Sequence, residues 1–197
     1  MKEIVLNTPD QPCFIGAWYL PQISICDQVV AAFHSDLLIK EEGRSGGNKQ
    51  GIVQKNIKDS IDAELSNRPD IADDFTANLL AVLQQYKQKF SYSDDVETFI
   101  VDHLNIQKYP KGGGFPAWHY ENTGYGYRIN RHLVFMTYLN DVLKDGETEF
   151  MYQKIKIKPE KGLTLIWPAT WEYTHRGNIC PDQEKYILTG WYSYKNV

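Results

Sequence analysis

Five histidines stand at positions 34, 103, 119, 132 and 175, and one of them lies two residues from a carboxylate in His119-Tyr120-Glu121. On an extended strand, residues i and i+2 project from the same face, so an imidazole and a carboxylate there can converge on one ion. By itself this pair is common. His175 adds to it, because it follows the strand-like run Leu163–Trp167 in a turn-rich segment and can deliver a third ligand from a neighbouring strand. Two histidines and one carboxylate can hold a redox-active divalent metal such as iron(II) on one side and leave its other positions open. Those open positions suit a chelating keto acid and dioxygen.

A keto acid with a second carboxylate at its far end needs a buried cation to pair with that end. Lys185 opens the apolar run Lys185–Trp191, ten residues after His175. A lysine at the start of such a run is ordinarily explained by solvent exposure. Its distance from His175 reverses that preference and makes it a candidate for such a cation.

Positioning these groups falls to the second half of the chain. Strand-like runs at 97–109, 131–140, 154–158, 162–167 and 185–194 are separated by turn-rich pieces at 111–114, 141–146 and 159–162. The alternation Lys154-Ile155-Lys156-Ile157-Lys158 reads as a half-buried strand with its lysines in solvent. Earlier in the chain, residues 13–20 form a short strand and Ser24 caps a helix through about His34. Residues 40–51 form a polar, glycine-rich loop. A second helix runs from about Asp70 to Phe90, with Phe75, Leu79, Leu80, Val82, Leu83 and Tyr86 at helical spacing. Trp118 and Trp167 read as core aromatics. Helices followed by a series of short strands predict a mostly β fold, a sandwich or barrel supported on one face by helices.

With 197 residues, a single domain is expected, residues 1–95 giving helical support and an N-terminal strand and 96–197 the β core. A net charge of −4 gives no support for a nucleic-acid partner. Cys13, Cys26 and Cys180 are odd in number and scattered, which suggests neither a disulfide framework nor a zinc ribbon. No apolar run approaches the ~18 residues of a membrane span, and the first residues lack a signal-peptide core, so no membrane association and a cytoplasmic location are expected.

Several positions, taken in order, resemble one family. Tyr109 sits ten residues before His119 in Gln107-Lys-Tyr-Pro-Lys-Gly-Gly-Gly114, as a strand-ending tyrosine does before that family's first iron ligand. Arg131-His-Leu-Val-Phe-Met-Thr-Tyr138-Leu-Asn140 resembles the family's next strand, and Asp145-Gly-Glu-Thr-Glu-Phe150 its Gly-Gly-x-Thr-x-Phe turn. His175 with Lys185 matches the spacing of its second histidine and keto-acid lysine, and Trp191 matches a tryptophan on the substrate side. From about Asn105 to Tyr192 the chain thus looks like the catalytic core of the Fe(II)/2-oxoglutarate-dependent oxygenases, in their prolyl 4-hydroxylase-like branch.

The resemblance implies a double-stranded β-helix core (jelly roll, cupin-like). It implies that His119, Glu121 and His175 bind iron(II), that Lys185 and Tyr138 hold the distal carboxylate of 2-oxoglutarate, and that Tyr109 lines that pocket. Arg131 and Trp191 would face the substrate. Dioxygen would be the second cosubstrate and ascorbate an optional reductant. The implied reaction hydroxylates an unactivated C–H bond while 2-oxoglutarate is converted to succinate and carbon dioxide. A prolyl residue in a peptide or protein is the leading substrate, with a free amino acid or other small molecule as the alternative. Gly43–Gly51 and Gly112–Gly114 are expected lids over the mouth.

One departure is plain: the family's motif is His-x-Asp, and this chain has glutamate, with the same carboxylate on a stem one methylene longer. The retained carboxylate speaks against a halogenase. A zinc hydrolase or cupin-type isomerase with the same three ligands leaves Lys185 and Tyr138 unexplained. A non-catalytic metal-binding barrel, acting as a binding module, would take up iron and 2-oxoglutarate without forming succinate.

Overall fold

The structure, a computed structural model, describes residues 1–6, 13–46, 51–94 and 99–194. Its elements in chain order are β1 (Gly16–Tyr19), α1 (Ile25–His34), β2 (Glu41–Glu42), β3 (Ile61–Glu64), α2 (Pro69–Lys89), β4 (Phe99–Tyr109), β5 (Phe115–His119), β6 (Arg131–Tyr138), β7 (Thr148–Phe150), β8 (Ile155–Ile157), β9 (Leu163–Pro168), β10 (His175–Gly177) and β11 (Lys185–Tyr194). They form a seven-stranded antiparallel sheet, ordered β1-β9-β6-β11-β4-β3-β2, and a four-stranded one, ordered β5-β10-β7-β8. This is the expected mostly β sandwich with helices against it.

The apolar runs of the larger sheet are nearly continuous because both of its faces are covered. In β6, Leu133 and Phe135 join the core that also holds α1 and α2 residues, whereas Val134, Met136 and Tyr138 join the core shared with the small sheet. Strand β9 divides likewise, Ile166 toward the helices and Leu163, Leu165 and Trp167 toward the small sheet. Period-two alternation therefore sorts side chains between two cores rather than between core and solvent.

Helix α2 begins with Pro69 in its first turn beside Asp70, and ends with Lys87 and Lys89 in its last turn. Ile71, Phe75, Leu79, Val82, Leu83 and Tyr86 are buried on one face. Leu80 is not part of that face: one residue beyond Leu79 is about 100° further round the helix, and Leu80 is 51% exposed. The start of α1 also differs from expectation. Ser24 is itself helical and makes no side-chain cap; the first amides bond back to the carbonyls of Gln22, Ile23 and Ser24.

Strand β8 is as expected, with Ile155 and Ile157 buried and Lys154, Lys156 and Lys158 exposed. Strands β2, β3, β5, β7 and β10, only two to five residues long, carry too little pattern to be read as strand runs from sequence. The loop expected at 40–51 contributes β2 and a bridge between Ser45 and Ile52, while residues 47–50 lie outside the described residues, as do 97–98 of the expected strand 97–109. Among the described residues, no helix is long and apolar enough to cross a membrane.

Candidate active site

The two sheets open onto a cavity of about 360 Å³, whose lining includes Tyr109, His119, Glu121, Arg131, His175, Lys185 and Trp191. His119 ends β5 and His175 begins β10, and the antiparallel register sets them directly opposite each other. Their ring centres are 4.3 Å apart. Each ring is oriented in the same way, its Nδ1 2.9 Å from the carbonyl oxygen two residues earlier, of Ala117 and of Tyr173 respectively. A carbonyl can only accept, so each Nδ1 carries the proton and each Nε2 keeps its lone pair for a metal.

Glu121 lies past the end of β5. Its amide and that of Asn122 donate to the Ala169 carbonyl, at 3.2 and 2.8 Å, and the Asn122 side chain donates to the Arg131 carbonyl at 2.8 Å. These ties turn the chain so that Glu121 Oε1 comes 3.8 Å from His119 Nε2. One ligand atom from each of His119, Glu121 and His175 lies within 4.8 Å of the other two. The carboxylate's convergence with His119 was expected, but a bend held by Ala169 achieves it rather than a continuing strand.

Electrostatics favour the metal-ready protonation states. Burial pushes His175 down to about 3, with His119 adding to the effect. Burial also holds His119 below its ordinary value, outweighing Glu121. For Glu121, burial alone would raise the carboxyl, but the charges of His119, Arg131 and His175 outweigh it and keep it low. Two neutral imidazoles and one carboxylate are the donor set that suits iron(II), and one ligand atom of each lies within 4.8 Å of the others. The residues fit the ion.

Three further aromatic rings fix the histidines. Phe115 stacks on His119 with ring centres 3.8 Å apart and planes 9° off parallel. Phe150 and Trp167 pack against His175 at 5.6 and 5.0 Å. Trp167 is a core aromatic as expected. Trp118 is not: strand alternation turns it outward, where it is 37% exposed and carries the Arg176 guanidinium at 4.4 Å.

Lys185 is 2% exposed. Its ammonium donates to the carbonyls of Gly146, at 2.8 Å, and Asn178, at 3.2 Å. Burial pushes it down to about 8, against the opposing pull of Cys180 and Glu147. Tyr109, across from it, bonds through its hydroxyl to Gln107 at 2.6 Å. Tyr138 is fully buried behind the wall, not on it. Its hydroxyl donates to Thr148 Oγ1 at 2.7 Å, and it is Thr148 that reaches the cavity. Thr148 stands inside the quoted Asp145–Phe150 motif, so its type was visible, though not its position. Phe115 carried no signal beyond its place near His119.

Arg131 and Trp191 both border the cavity and both touch Glu121, at 2.9 and 3.1 Å from Oε2. Of the expected lids, Arg44, Ser45 and Gly46 reach the mouth, and Arg128 donates to the Gly46 carbonyl. Gly112–Gly114 does not line the cavity; it is fastened to Cys180 and Asp59 through backbone bonds of 2.8 and 2.9 Å.

The fold and this cluster define a jelly-roll protein in which three residues could hold a metal ion beside a buried cation. A family model described as 2OG-Fe(II) oxygenase superfamily matches residues 104–193, the stretch containing all three ligand residues and Lys185. That match makes residues 104–193 similar to the 2OG-Fe(II) oxygenase superfamily, over a little under half of the chain. No curated protein is significantly similar in sequence.

Three solved structures share the fold at low sequence identity. A viral collagen prolyl hydroxylase from Paramecium Bursaria Chlorella virus-1, in complex with 2-oxoglutarate, is 17% identical with a TM-score of 0.65, covering 93% of this chain and 97% of its own. A Pseudomonas putida prolyl-4-hydroxylase is 15% identical with a TM-score of 0.67, covering 92% of each chain. A Trichoplax adhaerens prolyl hydroxylase, in complex with a hypoxia inducible factor oxygen degradation domain peptide fragment, is 16% identical with a TM-score of 0.67, covering 91% of this chain and 83% of its own.

Proposed function

We propose that this protein is a prolyl hydroxylase that acts on a peptide or protein, using iron(II) held by His119, Glu121 and His175 and releasing succinate and carbon dioxide from 2-oxoglutarate. One observation carries the reading: a single cavity contains both the three-ligand cluster and the buried Lys185. A metal site alone would serve many chemistries, but an ammonium buried opposite it calls for an anion with two ends.

Bound iron would supply the activation of dioxygen. The chain's own groups do the rest. Lys185 would pair with the distal carboxylate, a charge-assisted hydrogen bond strengthened by burial. Thr148, oriented by Tyr138, would offer a second donor, and the Tyr109 ring would flank the chain of the keto acid. Phe115 and Trp167 would keep the imidazoles in place and exclude water from the reacting centre. A peptide would enter between Glu41–Glu42 and the 126–130 turn, where Tyr120, Tyr127 and Arg128 border the mouth. The prolyl choice is supported by the fold neighbours, one of which binds a peptide.

The experiment is turnover with iron(II), 2-oxoglutarate, dioxygen and proline-rich peptides, following succinate and a one-oxygen mass gain on prolyl residues. Free proline and other amino acids run in parallel. Succinate with hydroxylation of the free amino acid alone would replace the peptidyl reading with the small-molecule one. Binding of iron and 2-oxoglutarate without succinate under any of these substrates would leave a binding module.

A further inference from the structure

Glutamate at position 121 has one more rotatable bond than the aspartate of the family's pattern, and so more freedom to lose on ordering. In the structure that freedom is taken up by two neighbours. Oε2 accepts from Arg131 Nη1 at 2.9 Å and from Trp191 Nε1 at 3.1 Å. The same Nη1 lies 3.4 Å from the Glu121 carbonyl oxygen. The Arg131 guanidinium is 3.3 Å from the centre of the Trp191 ring, with the Tyr127 ring centre 5.2 Å away. Arg131 is 5% exposed, and in the antiparallel ladder of β6 and β11 it pairs with Ser193, two residues past Trp191, whose own partner is Val134.

We infer that Arg131 and Trp191 are positioning residues that hold the longer Glu121 side chain so that Oε1 alone is presented to the metal. A loose glutamate can offer both oxygens to one cation. With Oε2 engaged twice, Oε1 is the oxygen left on the His119 side, 3.8 Å from Nε2. The positions that a chelating keto acid and dioxygen need then stay clear. It follows that aspartate at 121 is no improvement here. Its stem is too short for Oδ atoms to reach the two anchors and the ligand point together.

The inference rests on the metal-site reading above, and the test separates the two. Anaerobic titration with Co(II), followed by calorimetry and by its visible spectrum, is carried out on the wild type, Trp191→Phe, Glu121→Asp and the double variant. Phenylalanine keeps a ring beneath the guanidinium while removing the N–H donor, and thermal melting checks that each variant folds. The loss of an outer donor to a ligand predicts a ~10-fold weaker Co(II) affinity for Trp191→Phe and little further loss when the same change is made in the Glu121→Asp background. Equal losses in the two backgrounds, or none in the first, overturn the inference. If Glu121→Asp binds too weakly to complete the cycle, the Co(II) spectrum of Trp191→Phe decides: an altered ligand-field band supports the positioning role, and an unchanged one overturns it. A wild-type protein that binds no Co(II) removes the metal site itself and the inference with it.

Discussion

Lys185 lies directly opposite Tyr109 in the antiparallel pairing of β11 with β4, its ammonium 5.0 Å from the centre of the tyrosine ring. A buried lysine needs such surroundings. Two carbonyls and an aromatic face stabilise the charge without neutralising it, and under the proposed function a dicarboxylate would complete the set. Replacing Lys185 with alanine is therefore expected to weaken 2-oxoglutarate by about 2–5 kcal/mol, the cost of truncating one partner of a buried charged pair. Metal affinity should change little. Calorimetric titration of each ligand in turn checks this, and equal losses of both would remove Lys185 from the cosubstrate site.

The same burial sets a pH dependence. Lys185 is held at about 8, below the 10.5 of an exposed lysine. The unfolded chain therefore binds more protons than the folded one between those values, and the site's stability penalty, full below about 8, is relieved as pH rises toward 10.5. Cosubstrate binding runs the other way, because it needs the ammonium. The affinity for 2-oxoglutarate should fall as pH rises above about 8, and binding near that pH should take up a proton. Calorimetry in buffers of different ionisation enthalpy measures the uptake; no buffer dependence would count against a lysine partner.

Gly146 supplies the carbonyl nearest the Lys185 ammonium, at 2.8 Å, from a backbone with φ of +75°. A Cβ there would meet Cys180 Cβ at 3.3 Å and Val142 Cγ1 at 3.4 Å. Gly146→Ala should cost about 1–2 kcal/mol from the left-handed conformation alone, lowering the melting temperature by about 2–8 °C. It should also weaken 2-oxoglutarate by displacing the lysine's acceptor. Unchanged stability would contradict the conformation.

Tyr138 orients Thr148 from behind, and its hydroxyl also lies 3.1 Å from the Ile157 carbonyl. Tyr138→Phe is expected to cost about 1–3 kcal/mol of stability, since buried acceptors lose their donor. Its effect on 2-oxoglutarate should be smaller than that of Thr148→Val if the threonine is the cavity-facing group. Denaturant unfolding and ligand titration on the two variants give the comparison.

How much of this could be read in the chain differs from residue to residue. His119, Glu121, His175 and Lys185 were legible as a candidate site because ligand chemistry restricts residue type strongly, and the structure brings all four to one cavity. The runs 131–140, 162–167 and 185–194 were legible as strands because a sheet buried on both faces needs long apolar stretches. Strands β7 and β10 were not, since three residues hold too little pattern to distinguish a strand from a turn. Trp118 and Leu80 were apolar in type but exposed in place.

The sequence by itself determined the inventory: two imidazoles, a carboxylate and a lysine, in an order suited to a metal and a dicarboxylate. Only the tertiary structure decided how they meet. His119 faces His175 through the β5–β10 register, Thr148 takes the wall position in front of Tyr138, and Arg131 with Trp191 holds the second oxygen of Glu121. The physical reason is the same each time. Residue type and local period report what a side chain can do and which face is apolar, whereas partners across a ladder are set by hydrogen-bond register between segments distant in the chain.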